Sequence, residues 1–405
     1  MNKNIKLAVA GAIFAAASAA QAGIIIPAGD WTLDISGNVN SYYTQTRATG
    51  DAVTGGLAGA SATGTRSTAN ISTGLLPNFL SVAGSTRQND LDVTFLISIN
   101  PGASQLNAGS GGSGTEHRQA FLTFGDKSWG SIKLGKDLGI FASDAILNDM
   151  TLLGVGSASG SPTTTTLGRI GSGFMYADWK SQIAYTTPNM NGFQATVGLT
   201  QAWNALSSDS NGATAGGNVS ATTTARGGAS TAYEGKASYS IAANDVTGKI
   251  WVGGFAQKVD GMVFHADRDT IAYAGEVGAN VNAAGFGLTG YYYGGKGVGT
   301  TLMLKDGYSL TGQQRDSDGG YVQATYVLPT KTKAGISWGI SNLDKTSAES
   351  ASTLVKENEM WTVGLCHPLT KHLNIVAEYN NVESKAQTNV EAKTRNVSLG
   401  AILFF

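Results

Sequence analysis

The chain has 405 residues, of which 14% are charged and 55 are glycine, and its formal net charge is -1. Soluble domains usually carry about 25% charged residues. A single cysteine, Cys366, excludes an internal disulfide and a cysteine-cluster metal site, and the charge balance leaves no basic face for nucleic acid.

Met1-Asn2-Lys3-Asn4-Ile5-Lys6 is a short basic segment, Leu7 to Ala20 is apolar, and Ala20-Gln21-Ala22 is a small-x-small site. This is the layout of a secretory signal peptide over 1–22, with the mature chain expected to begin at Gly23. Beyond it no stretch has the 18 or so consecutive apolar residues of a membrane helix. Mean hydropathy is -0.05. A barrel whose strands alternate apolar-out with polar-in gives such an average too, so periodicity has to decide.

The periodicity is clearest in Leu91-Asp92-Val93-Thr94-Phe95-Leu96-Ile97-Ser98-Ile99. There Leu91, Val93, Phe95, Ile97 and Ile99 share one face, and Pro101-Gly102 ends the run. In chain order, strands are expected near 33–46, 78–87, 90–99, 118–125, 130–136, 179–187, 193–203, 231–241, 248–258, 270–282, 285–294, 319–328, 333–342, 358–367, 372–382 and 393–405, about 16 in all, an even number as bacterial barrels require. Short turns at 187–192, 243–247, 282–284 and 329–332 alternate with long polar stretches at 47–77, 100–117, 137–178, 204–230, 259–269, 295–318, 343–357 and 383–392. This alternation favours an all-β, closed antiparallel transmembrane barrel over a sandwich. Tyr42-Tyr43, Trp251, Tyr291-Tyr292-Tyr293, Trp338 and Trp361 lie near strand ends, where interfacial girdles would place them. Ordinary strand packing would also suit them.

In the last strand Val397, Leu399, Ala401, Leu403 and Phe405 share one face, opposite Asn396, Ser398 and Gly400, with Phe404 interrupting. This resembles the signal read by the outer-membrane assembly machinery, which is thereby expected as a partner.

Catalytic and metal patterns are missing. His117, His265, His367 and His372 form no ligand spacing beside acids, Gly285-Phe286-Gly287 is not a strand-to-helix nucleotide loop, and no Gly-x-Ser-x-Gly elbow occurs. No enzyme activity, cofactor or metal is expected. Asp209, Asp267-Arg268-Asp269 and Asp316-Ser317-Asp318 are acidic loop groups that calcium could use, and solvated loop charge is the plainer reading.

Arg118-Gln119-Ala120-Phe121 through Gly130-Ser131-Ile132-Lys133-Leu134-Gly135-Lys136, then Ser181-Gln182-Ile183-Ala184-Tyr185-Thr186-Thr187-Pro188 with Gly192-Phe193, and the C-terminal strand resemble the Gram-negative general porins, trimeric 16-stranded barrels. The resemblance implies a single barrel domain over 23–405 in the bacterial outer membrane. It implies a homotrimer in contact with membrane lipid, passing small polar solutes passively. A solute-selective channel is the alternative, and it would need an inward line of aromatics or like charges. The resemblance also implies that loop 137–178 folds into the lumen. There Asp144 and Asp149 are expected to face a basic wall across a pore constriction, with Asp149 opposite Arg118 and a second wall position taken by Arg169 or by its competitor Lys180; Lys133 joins that wall if Ile132 and Leu134 face out. Asn38 and Phe79 stand where many relatives carry Lys or Arg, so the constriction is expected to be less basic than usual.

Overall fold

A computed structural model describes residues 23–104, 114–160, 165–205, 208, 230–259, 269–309 and 312–405. The expected signal peptide over 1–22, and Asp209, His265 and Asp267-Arg268, lie outside the described residues. The first part of the chain forms β1 (Ile24–Ala28), β2 (Trp31–Gly50), β3 (Ser61–Ser72), β4 (Phe79–Gln88), β5 (Leu91–Pro101), β6 (Thr115–Glu116), β7 (Ala120–Asp126) and β8 (Gly130–Leu138). A long connection follows. It holds α1 (Ser143–Asn148), a 3-10 turn at Met150–Leu153, and the small pair β9 (Ser157–Gly160) and β10 (Thr166–Gly168). The remainder is β11 (Trp179–Thr186), β12 (Phe193–Thr200), β13 (Ala232–Ala243), β14 (Val246–Val259), β15 (Thr270–Ala283), β16 (Phe286–Lys296), β17 (Asp316–Val327), β18 (Lys333–Leu343), β19 (Val355–Pro368), β20 (Leu373–Ala386) and β21 (Glu391–Phe404).

The wall strands β4, β5, β7, β8 and β11 to β21 pair antiparallel each with the next, and β2 closes the ring by pairing with both β4 and β21. The result is a closed barrel of 16 strands. Closure leaves no open edge within that ring, which is what a sheet in hydrocarbon requires. The C-terminus completes the seam, because Phe405 and Gly37 exchange both backbone hydrogen bonds, at 2.8 and 3.0 Å. The turn between β15 and β16 is just Ala284-Gly285, both at positive φ, as a tight hairpin matched to strand twist demands.

Besides the elements inside the long connection, three strands were not foreseen. β1 folds back on β2, β6 pairs with the end of β5, and β3 occupies the expected loop 47–77, pairing with β2 alone. β3 reads Ser-Ala-Thr-Gly-Thr-Arg-Ser-Thr-Ala-Asn-Ile-Ser, which is polar on both faces, so alternation gives no signal there.

Burial is inverted relative to a soluble protein. In β5, Ile97 is 55% exposed and Ser98 is 1% exposed. In β21, Val397 and Leu399 are exposed while Asn396 and Ser398 are buried. The apolar face is the outside. The aromatics divide by the same alternation. Tyr43, Tyr292 and Trp361 point outward, as a girdle would have them. Tyr42, Trp251, Tyr291 and Tyr293 do not: they are buried inside, with Phe255 and Tyr321, as the wall on which the long connection packs. Period two assigns a face, and these four fall on the inner one.

Candidate functional site

The connection from Gly139 to Asp178 folds into the lumen. Its base is closed by Gly139 N–H donating to the Asp178 carbonyl at 2.8 Å. From there Ile140 is buried beside Gly198, and Phe141, Ala142, Ala145 and Ile146 share one buried cluster with Phe255, Trp251 and Tyr291. Burying a peptide segment demands partners for its N–H and C=O groups, and the barrel wall supplies them.

Three inward glutamates hold the loop by its backbone. Glu234 on β13 accepts from the amides of Ile140 and Phe141 at 2.8 and 2.9 Å. Glu276 on β15 accepts from Ala142 at 3.1 Å. Glu378 on β20 accepts from Val155 and Gly156, both at 2.8 Å. Neutral groups add to this. Tyr321 Oη donates to the Ala145 carbonyl at 2.8 Å, and Gln323 bridges the Asn148 carbonyl and the Met150 amide at 2.7 and 2.9 Å. On the far side Leu75 and Leu76 amides donate to the Gly154 and Leu152 carbonyls, and Asn396 donates to the Gly156 carbonyl. The loop is therefore strapped from both sides of the barrel. Gly154 passes so close to Glu378 that a Cβ there would lie 2.0 Å from its Oε1.

Each residue singled out in the sequence has a nearby partner of opposite charge. Asp144 lies between Lys236, at 2.9 Å, and Lys249. Burial disfavours its charge, but the two ammonium groups outweigh burial and hold the carboxyl below the usual range. Asp149 caps the 3-10 turn, accepts from the Thr151 amide at 3.1 Å, and sits 3.6 Å from Arg169 Nε. Both side chains are fully buried. Burial pushes the Asp149 carboxyl up, and the Arg169 guanidinium pulls against it. Arg169 also donates to the Met360 carbonyl and Thr362 Oγ1, at 3.1 Å each.

The two residues expected to face each other each have another partner. Asp149 is paired with Arg169, which lies on the same loop and not on an opposite wall, while Arg118 is held by Glu116 at 2.7 Å. Lys133 pairs with Asp137, its ammonium 4.8 Å from the Phe121 ring centre. Lys180 pairs with Glu234. Sequence reading missed Glu116, Asp137, Lys236 and Lys249, and the three glutamate straps. Alternation places Glu234, Glu276 and Glu378 on inner faces, so their direction was readable, but their partners 94, 134 and 223 residues away were not.

Beside the loop a cavity of about 620 Å³ remains. Leu75, Leu76, Ile146, Leu147, Leu152 and Ile170 form its aliphatic side, and Glu116, Arg118, Lys136 and Asp178 bring charge to it, with Trp179 beneath the Arg118 guanidinium. Among the described residues, no group of three His, Cys, Asp or Glu side chains is placed to hold a metal.

A closed barrel with an apolar exterior, a polar inner wall and a loop seated in the lumen defines a transmembrane β-barrel channel. The profile of the Gram-negative porin family matches residues 7–387, and the chain belongs to that family. It is an outer-membrane channel for passive diffusion of small hydrophilic solutes. No curated protein matches the sequence. Among solved structures, the chain is similar to the outer membrane channel DcaP of Acinetobacter baumannii, with TM-score 0.66 and 15% identity over 94% of this chain and 99% of that one. It is also similar to an anion-selective porin from Comamonas acidovorans, with TM-score 0.61 and 14% identity over 93% and 100%. A third is OmpF of Salmonella typhi in complex with daunomycin, with TM-score 0.57 and 12% identity over 94% and 100%. At these identities the likeness is one of fold.

Proposed function

We propose that solutes cross this barrel through the cavity between the inner loop and the wall carrying Arg118, and that the ion preference of the channel is weak. The observation that carries this is the pairing of charge: Arg118, Lys133, Lys180, Asp144 and Asp149 each have a counter-ion within ion-pair distance. Paired charges cancel at a distance, so little net transverse field is left for selecting ions. Lys136 is the cavity cation with no ion-pair partner among the described residues. The aliphatic side of the cavity supports the alternative of a solute-selective channel, favouring solutes with an apolar part. Membership of the family supports a homotrimer delivered by the outer-membrane assembly machinery, with 1–22 as its signal peptide, 23–405 as one barrel domain and no catalytic role.

Arg118→Ala leaves Glu116 unopposed at the cavity. The reversal potential across a salt gradient should move toward cation preference. The shift should fade between 0.1 M and 1 M salt, as the screening length falls from about 10 Å to about 3 Å. An unchanged reversal potential at low salt would place Arg118 off the conduction path.

A further inference from the structure

The connection between β2 and β3 is a second segment folded against the inner wall, at the end of the barrel that bears the long connections. Asp51 N–H donates to the Glu391 carbonyl at 2.9 Å, and Thr54 exchanges backbone hydrogen bonds with Thr353 and Val355 at 2.9 and 2.8 Å. On the way back the Leu57 amide is shared between Asn358 Oδ1 and Ser384 Oγ, at 3.1 and 3.0 Å. The Ala58 amide donates to Ser384 Oγ at 2.9 Å, and the Gly59 amide to Thr394 Oγ1 at 2.7 Å. Val53, Leu57 and Ala58 share one buried cluster with Met360, Val382 and Ala392. The segment therefore covers the upper inner face of β19, β20 and β21, and the Leu57 carbonyl accepts from Ser159 of the inner loop.

The covered wall is polar, of the kind a water-filled lumen has. Asn358 and Ser384 beneath the segment are fully buried. Elsewhere on the inner wall Lys133 and Lys249 keep 27% and 32% of their side-chain surface. One polar group is stranded by the cover: Asn358 Nδ2 is buried with no acceptor among the described residues. A buried donor without a partner opposes the covered state, and water would satisfy it. The fastenings are also weaker than those of the inner loop. The side chains that hold 51–60 by its backbone are hydroxyls and an amide, whereas carboxylates hold 139–178. Charge-assisted bonds are about twice as strong as neutral ones. Gly50 and Gly55, with φ of 85° and 76°, give the segment backbone freedom where it leaves β2 and where it turns.

We propose that residues 51–60 are a gate at the mouth with two positions. Seated, they seal the upper inner face of β19, β20 and β21. Lifted, they open that polar face to water and small solutes, and Asn358 regains a partner. This path uses a different part of the wall from the passage beside Arg118.

The test locks the gate. In a Cys366→Ser background, Thr54→Cys with Thr353→Cys replaces two hydroxyls 3.0 Å apart, close enough for a disulfide. The oxidised channel should hold one steady conductance level, and reduction should bring reversible steps to a higher level. Leu57→Ala removes the largest apolar side chain of the seated segment. It should raise occupancy of the higher level at least about tenfold. Oxidising the same thiol pair in that variant should restore the steady level, which a barrel destabilised as a whole would not do. The proposal is overturned if a channel with the disulfide verified by mass steps as the reduced one does. It is equally overturned if the reduced channel and Leu57→Ala both stay at the lower level, or if the two thiols do not join in the folded barrel. The reversal-potential shift of Arg118→Ala reads the other passage and does not depend on this lock.

Discussion

Replacing Asp149 by alanine should unseat the inner loop while leaving the barrel standing. Arg169 is fully buried, and Asp149, at 3.6 Å, is its counter-ion. Removing one partner of a buried pair leaves an uncompensated charge, at a cost of about 3–5 kcal/mol. That cost falls on the loop, because the strand ladders of the barrel do not involve Asp149. Planar-bilayer recordings of Asp149→Ala should show noisy current with frequent substates and a larger mean conductance. Removing both charges tests the cause. Asp149→Ala with Arg169→Met should quieten the channel again, since apolar replacement of a whole buried pair is often neutral. A quiet Asp149→Ala channel altered only in ion preference would contradict the buried pair and favour a carboxylate facing open water.

Glu378→Ala should loosen the other end of the same loop. Its carboxylate takes two backbone amides at 2.8 Å, and hydrogen bonds to a charged group contribute about 1.5–3 kcal/mol each. Alanine leaves the Val155 and Gly156 amides buried without acceptors and removes the group against which Gly154 is packed. The loop should swing from β20 toward the cavity, giving a lower main conductance level with reversible steps to a higher one. Gly154→Ala should do the same from the loop side, because its Cβ would overlap the Glu378 carboxylate. The check is single-channel recording together with protease cleavage within 139–178. Wild-type traces and a resistant loop in both variants would show that Glu378 is not a strap.

How far the sequence could be read follows from what alternation encodes. Leu91 to Ile99 and Val397 to Leu403 announce strands with one apolar face, and repeating that pattern with short turns such as Ala284-Gly285 is enough for a closed barrel. Alternation also gives the inner side of each strand, and that is where it stops. It does not say whether an inward residue meets water or protein. Trp251, Tyr291 and Tyr293 are an inward line of aromatics of the kind a selective pore would use, yet the loop covers them. Arg169 stood among wall cations by resemblance, and its partner proved to be Asp149 on its own loop. β3 has no apolar face, so nothing in its composition marked it as a strand.

The passage beside the loop is tested most directly by blocking it. In a Cys366→Ser background, which removes the one native thiol, Leu147→Cys puts a single reactive group on the loop side of the cavity. A bulky thiol reagent should then cut single-channel conductance sharply and irreversibly, with no effect on the Cys366→Ser parent. Complete labelling of Leu147→Cys, verified by mass, with conductance unchanged would contradict the passage of solutes through this cavity.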